Sequence, residues 1–248
     1  MVTDNNSDCV IDFRKVHLGD NGECLNSGLK HGLVAFYPFG NGSLNDLSGN
    51  NHKLFAGTGP GQNLPVITID RNNNSDCAYK FNRGIEDAFM RTGDSIDLSN
   101  SGFTISLWYQ ALGDRAAGLY ESLIKIGFDP ETNISLGLFD CRKAVFNYKG
   151  KADVWDDEQY FDCDKAMTDH NWHHMVAIFD SQKKQISLYR NNVLMGKADN
   201  VSPSNNAKDV LEMGSFFNGK LDDVILYNRA LSKAEINTLY NMGTCCEN

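Results

Sequence analysis

Short alternations of apolar and polar residues, separated by clusters of Gly, Asn and Asp, run along the chain from His31 onward. The clearest is Phe103-Thr104-Ile105-Ser106-Leu107-Trp108-Tyr109. Its period of two puts Phe103, Ile105, Leu107 and Tyr109 on one face of a predicted strand. Leu33–Tyr37 is an apolar run ended by Pro38. Further strands are predicted at Ser122–Ile126, Ile134–Phe139, Ala144–Tyr148, His174–Phe179, Gln185–Arg190, Leu211–Met213 and Lys220–Tyr227. Asn191-Asn192 joins Gln185–Arg190 to Val193–Lys197, and Asn tolerates the positive φ of a tight hairpin turn. Ala144–Tyr148 and the run near Tyr160–Phe161 form a second candidate hairpin. Only one segment reads as a helix: Ser232-Lys233-Ala234-Glu235 has the S-x-x-E capping form, followed by Ile236, Leu239 and Tyr240 on one stripe.

Many short strands and one short C-terminal helix predict an all-β, two-sheet antiparallel sandwich. No internal repeat or low-complexity linker interrupts residues 31–248, which read as one domain behind a polar, cysteine-bearing extension at 1–30. The 248 residues suffice for a sizeable core. No apolar stretch approaches the length of a transmembrane helix, so membrane insertion is not expected. The 23 Lys and Arg against 32 Asp and Glu give a net charge of −9, with no clustered basic patch, which argues against a nucleic-acid partner.

Seven cysteines occur and none lies in a CxxC pair, so disulfides in an oxidising compartment are expected instead of a zinc or redox motif. The chain then reads as secreted, periplasmic or on a cell surface, with an export signal taken to have been removed. Cys9 and Cys24 could close a small loop in the extension. Cys141 and Cys163 flank the second hairpin, where a cross-strand bridge would fit.

Three segments in order resemble the laminin-G-like, concanavalin A-like jelly-roll family of lectin and glucanase sandwiches. Gly32–Phe39 with Asp46-Leu47-Ser48-Gly49-Asn50 resembles the opening strand and its loop. Phe103–Trp108, Trp172–Ala177 and Ile186–Tyr189 resemble the central strands. Phe217–Ser232, continuing to Tyr240, is similar to the closing strand and terminal helix. The resemblance implies a jelly roll and, at Asp222, a structural calcium held with backbone carbonyls of the opening strand; Asp46 is a second implied ligand. Calcium suits such sites because it takes six to eight oxygens in irregular geometry. The alternative is that Asp222 only accepts backbone hydrogen bonds and Asp46 only shapes a turn.

Trp155-Asp156-Asp157-Glu158-Gln159-Tyr160 mixes rings with carboxylates, as sugar sites do, which makes Trp155, Asp157 and Tyr160 ligand-binding candidates; a solvated hairpin tip is the alternative. His170, His173 and His174 lack the H-E-x-x-H spacing of a zinc helix, and within a strand His173 and His174 face opposite ways. The glucanase patterns E-x-D-x-E and E-x-D-x-x-E are missing, as is G-x-S-x-G. A non-catalytic, lectin-like or adhesin module recognising a glycan or glycoprotein is therefore the expected function. A protein-interaction or structural module of a larger surface or pilus assembly is the alternative, and a glycoside hydrolase comes third.

Overall fold

The alternation at Phe103–Tyr109 becomes a strand buried on both sides. Phe103, Ile105, Leu107 and Tyr109 enter the space between two sheets, while Thr104 and Ser106 are buried on the opposite face. The computed structural model describes residues 24–243, 245 and 246, apart from 58–63, 83–87, 99–101, 114–119, 129–132, 149–151, 157–162 and 204–207.

The strands are, in chain order, β1 (Leu33–Tyr37), β2 (Leu54–Ala56), β3 (Val66–Thr68), β4 (Ala78–Phe81) and β5 (Met90–Asp97). They continue with β6 (Phe103–Ala111), β7 (Tyr120–Ile126), β8 (Ile134–Phe139), β9 (Lys143–Tyr148) and β10 (Ala152–Trp155). The last are β11 (Trp172–Asp180), β12 (Gln185–Arg190), β13 (Val193–Ala198), β14 (Lys208–Met213) and β15 (Gly219–Tyr227). The first sheet runs β13-β12-β11-β6-β15-β4-β3, with β1 also paired to β15; the second runs β10-β9-β8-β7-β14-β5-β2. All these pairings are antiparallel. The architecture is the expected two-sheet jelly-roll sandwich.

Aromatic rings knit the sheets together. Phe103 and Phe179 of the first meet Phe146 and Tyr148 of the second, with the Tyr148 and Phe179 rings stacked 4.7 Å apart. Asn191 and Asn192 adopt left-handed φ of 49° and 64°, as their hairpin turn requires.

The outer face of the first sheet is covered as well. Val176, Ile178, Ile225 and Tyr227 pack against Ile236 and Leu239 of α3 (Lys233–Asn241). The capping box that opens α3 is formed, and Glu235 also pairs with Arg229 at 2.7 Å. Two further short helices occur, α1 (Ser27–Lys30) and α2 (Cys163–Thr168). Leu25 and Leu29, in the expected extension, are buried in this same outer cluster.

Disulfides pin that layer down. Cys24 is bonded to Cys245 and Cys77 to Cys246, closing long loops that restrict the unfolded chain strongly. The proposed Cys9–Cys24 pair is therefore corrected: the folded tail brings Cys245 to Cys24, while Cys9 lies outside the described residues. Cys141 and Cys163 are bonded as expected, but the bridge ties the β8–β9 turn to the start of α2 and does not join two strands. The hairpin partner of β9 is β10, not the run near Tyr160–Phe161, which lies outside the described residues.

His174 lies beneath α3, its Nε2 2.8 Å from the Ser106 hydroxyl and its ring 6.0 Å from that of Tyr240. Burial, aided by the nearby Arg71 cation, pushes its pKa down to about 3. The unfolded imidazole titrates near ~6.5, so between these values only the unfolded chain takes up the proton. The contribution is complete above the unfolded pKa and is lost as pH falls. Urea titrations should show stability dropping by about 1.5 kcal/mol between pH 6.5 and 5 from this group. His174→Gln should flatten that fall; an unchanged slope would mean the imidazole protonates in place. Non-reducing peptide mapping should recover Cys24 with Cys245 and Cys77 with Cys246, and a Cys9–Cys24 peptide would contradict this fold.

Candidate functional site

Asp222 is fully buried on β15. A bulge interrupts the β15–β6 register between Asp222 and Ile225, and Asp223 adopts a left-handed φ of 43°. Successive strand residues normally face opposite ways. Here the bulge lets both carboxylates meet one guanidinium: Arg71 Nη1 lies 2.5 Å from Asp222 and 2.7 Å from Asp223. Arg71 Nη2 donates to the Gly243 carbonyl at 2.8 Å, and the guanidinium carbon stacks 4.7 Å from the Trp108 ring. Burial and the neighbouring Asp223 raise the Asp222 pKa well above the ordinary range against the pull of Arg71; burial also raises that of Asp223.

Asp46 sits apart, in the loop after β1. Its two oxygens accept from the backbone N–H of Phe36, Ser48 and His52 and from the Ser48 hydroxyl, at 2.8–3.0 Å. The carboxylate is thus saturated with donors, as a turn-forming Asp is. A calcium cage needs converging oxygens. Asp222 and Asp223 face the Arg71 cation, although Asp222 Oδ1 and both Asp223 oxygens accept no hydrogen bond among the described residues, and Asp46 faces hydrogen-bond donors. A calcium added beside Arg71 would set two cations against the same carboxylates, so these residues do not fit it. Among the described residues, no group of three or more His, Cys, Asp or Glu side chains is placed to hold a metal.

The second sheet is different, because among the described residues part of its outer face is uncovered. Leu123, Ile126, Leu136, Phe146, Val154 and Met213 point into the core, and alternation sends their neighbours outward. The registers align those neighbours into one row. Arg91 lies opposite Glu212, Glu212 opposite Lys125, Lys125 opposite Ser135, Ser135 opposite Asn147, and Asn147 opposite Asp153. With neighbouring strands ~4.8 Å apart, the stretch from Glu212 to Asp153 spans about 19 Å.

Aromatic rings border this row. Trp155 follows Asp153 on β10 and makes an edge contact with Phe139 at 5.7 Å; it is 36% exposed, and Phe216 is 53% exposed. Tyr120 lies over Gly137, where a Cβ would come within 2.7 Å of its ring, so the sheet must be glycine at that point. Burial pushes the Tyr120 phenol up to about 12, which keeps it a neutral hydrogen-bonding group. Together these residues line a groove of about 410 Å³. Ser122, also in its lining, is 4% exposed, and its hydroxyl has no hydrogen-bond partner among the described residues. A buried hydroxyl left in that state favours a polar ligand or water.

The row's charges are largely matched. Arg91 pairs with Glu212 at 2.8 Å while stacking over Phe89 and Phe128, the Lys125 ammonium lies 5.1 Å from the Phe128 ring, and Asn147 donates to Asp153. A larger groove of about 520 Å³ lies beside the Cys24–Cys245 bridge, with Leu25, Leu33, Phe36 and Leu47 in its walls. Its Ser48 hydroxyl already bonds Asp46 and the Val34 carbonyl, so no comparable polar demand is seen there.

Of the ligand candidates read from the sequence, Trp155 borders the first groove, whereas Asp157 and Tyr160 lie outside the described residues. Asp156 between them is fully buried and paired with Arg190 at 2.7 Å. Arg71, Tyr120, Ser122, Lys125, Glu212 and Phe216 were not singled out. The polar residues Ser122 and Lys125 within the otherwise apolar predicted strand Ser122–Ile126 are the available signal, and Arg71 is a lone cation in an Asn-rich turn.

A family model described as the concanavalin A-like lectin/glucanases superfamily matches residues 84–237. No curated protein matches the chain. Among solved structures, the binding domain of Paraclostridial Mosquitocidal Protein 1 is similar at a TM-score of 0.67 and 23% identity, over 86% of this chain and 52% of that one. The binding domain of botulinum neurotoxin DC in complex with SialylT gives 0.65 and 15%, over 86% and 51%. The same domain in complex with rat synaptotagmin II gives 0.64 and 15%, over 86% and 52%. The chain spans about half the length of these structures, and at such identities they show a shared fold.

Proposed function

We propose that this chain, which belongs to the concanavalin A-like lectin/glucanases superfamily, is an extracellular, non-catalytic module that binds glycans on the open face of its second sheet. The observation that carries this reading is the row of hydrogen-bonding side chains bordered by Trp155, Tyr120 and Phe216, with the unpartnered Ser122 hydroxyl beside it. Sugar hydroxyls both donate and accept, which suits a mixed row of amides, hydroxyls and charges. The C–H faces of pyranose rings suit aromatic platforms. Apart from Phe216, which stands in the β14–β15 turn, these groups are presented on paired strands, so little ordering entropy is lost on binding. Glycan-type ligands of structural neighbours, SialylT for one botulinum neurotoxin binding domain and two ganglioside molecules for type C, support the same class.

Binding without hydrolysis is supported by the carboxylates themselves. Glycosidases place two carboxyl groups roughly 5–9.5 Å apart across the bond they cleave. Glu212 and Asp153 stand at opposite ends of a span of about 19 Å, and each is already engaged. Glu121 faces the other way, toward Arg142 at 3.9 Å. Three disulfides favour an oxidising, extracellular setting.

A second reading, a protein-interaction module, is favoured by one feature. Leu64, Val66, Ile67 and Ile69 are exposed along edge strand β3. On glycan arrays the full chain should retain defined oligosaccharides. Trp155→Ala should weaken them ~10-fold or more, as loss of a central aromatic contact does. Ser122→Val should weaken them as well, whereas Leu47→Ser in the other groove should leave binding unchanged. An array with no bound glycan, or full binding by Trp155→Ala, would favour the interaction reading.

A further inference from the structure

We propose that Arg71 is a built-in replacement for the divalent cation implied at Asp222, so that the C-terminal tail is locked onto the sandwich without metal. Two carboxyl groups with side-chain exposures of 0% and 2% stand side by side on β15, an arrangement in which ionised groups repel and are costly to bury without a counter-charge. Arg71 supplies it from a turn built for the purpose. Asp70 accepts from the Asn72 and Asn74 N–H groups and from the Asn74 amide, fixing the backbone from which Arg71 reaches inward.

The groups around the guanidinium make the substitution recognisable. Nη1 meets carboxylate oxygens of Asp222 and Asp223, and Nη2 meets the carbonyl oxygens of Gly243 and, at 3.4 Å, Met242. This is an all-oxygen set mixing anionic and neutral donors from two separate segments, the kind a hard divalent ion gathers. Here a planar cation holds it, with its open face against Trp108. The Trp108 ring in turn stacks on Tyr240 of α3, and Cys245 and Cys246 lie two and three residues beyond the bound Gly243 carbonyl. One guanidinium therefore joins the closing strand, the helix and the disulfide-bonded tail. A chelator cannot remove it, and it does not deprotonate in the physiological range.

Thermal unfolding of the non-reduced full chain should give the same midpoint in calcium and in EDTA. Arg71→Gly should melt roughly 10 °C lower in EDTA, as expected when a buried ion pair loses one partner. It should recover at least half of that loss in calcium, because the oxygen set remains. Terbium should give Trp-sensitised emission with Arg71→Gly, since Trp108 adjoins the vacated position, and none with the unmodified chain. Should Arg71→Gly fail to accumulate, the triple variant Arg71→Met, Asp222→Asn, Asp223→Asn tests the same point: with the charges removed together, it should fold and melt within a few degrees of the parent in EDTA. The proposal is overturned if the unmodified chain loses stability in EDTA or sensitises terbium. It is equally overturned if calcium leaves Arg71→Gly unmoved, or if the triple variant does not fold without metal.

Discussion

Strand β15 is bound along one side by β6 and along the other by β4 and then β1, and at the changeover it carries two buried carboxylates. The contact between those carboxylates and Arg71 is the constraint on which the first sheet depends. A regular strand would send Asp222 and Asp223 to opposite faces. The bulge turns both toward the same cation and lets the partner change from β4 to β1 within one strand. The same guanidinium donates to the Gly243 carbonyl, so the closing strand and the tail share one cation. Trp108, Tyr240 and His174 fill the apolar space beside it, which is why an imidazole there stays neutral.

The molecule consequently has two unlike outer faces. The first sheet is capped by α3, by the segment around Leu25 and Leu29, and by two disulfides, so its outward residues behave as core. Among the described residues nothing comparable covers the second sheet over β7 to β10, and its outward residues there are largely polar. Binding chemistry collects where the fold leaves paired strands uncovered, because neighbouring strands bring side chains remote in sequence into regular register. Gly137 shows how closely that surface is shaped: removing one Cβ lets Tyr120 lie across the sheet.

Superfamily membership and likeness to toxin binding domains describe a scaffold that hosts many partners. Glycans suit the local chemistry of the second sheet: hydrogen-bonding groups in a row, rings at the border and a hydroxyl within that has no partner among the described residues. Among the described residues, the groove's two carboxylates, Glu212 and Asp153, stand far apart and are each engaged.

Much of the fold was legible in the sequence because its signals are local. Period-two alternation marked β6, apolar runs ended by turn residues marked β1, β8 and β12, the Asn-Asn turn marked a hairpin, and Ser232 with Glu235 marked the start of α3. The short strands β2 and β3 carry too few residues to show a pattern, and β5, with Gly93 and Asp94 near its middle, has no clean alternation to mark it as a strand. For Asp222 the sequence offered an implied calcium or backbone hydrogen bonds; it could not point to Arg71, which lies 151 residues away and is delivered only by the folded β3–β4 turn. Likewise Trp155 stood out as an aromatic beside carboxylates, but the row it borders draws on six strands whose order is set by sheet pairing. Pairing of the tail cysteines with Cys24 and Cys77 had the same origin. Local patterns decide which residues form strands and which face they show; contacts between distant segments are decided by packing, because only the closed sandwich brings those side chains within reach of one another.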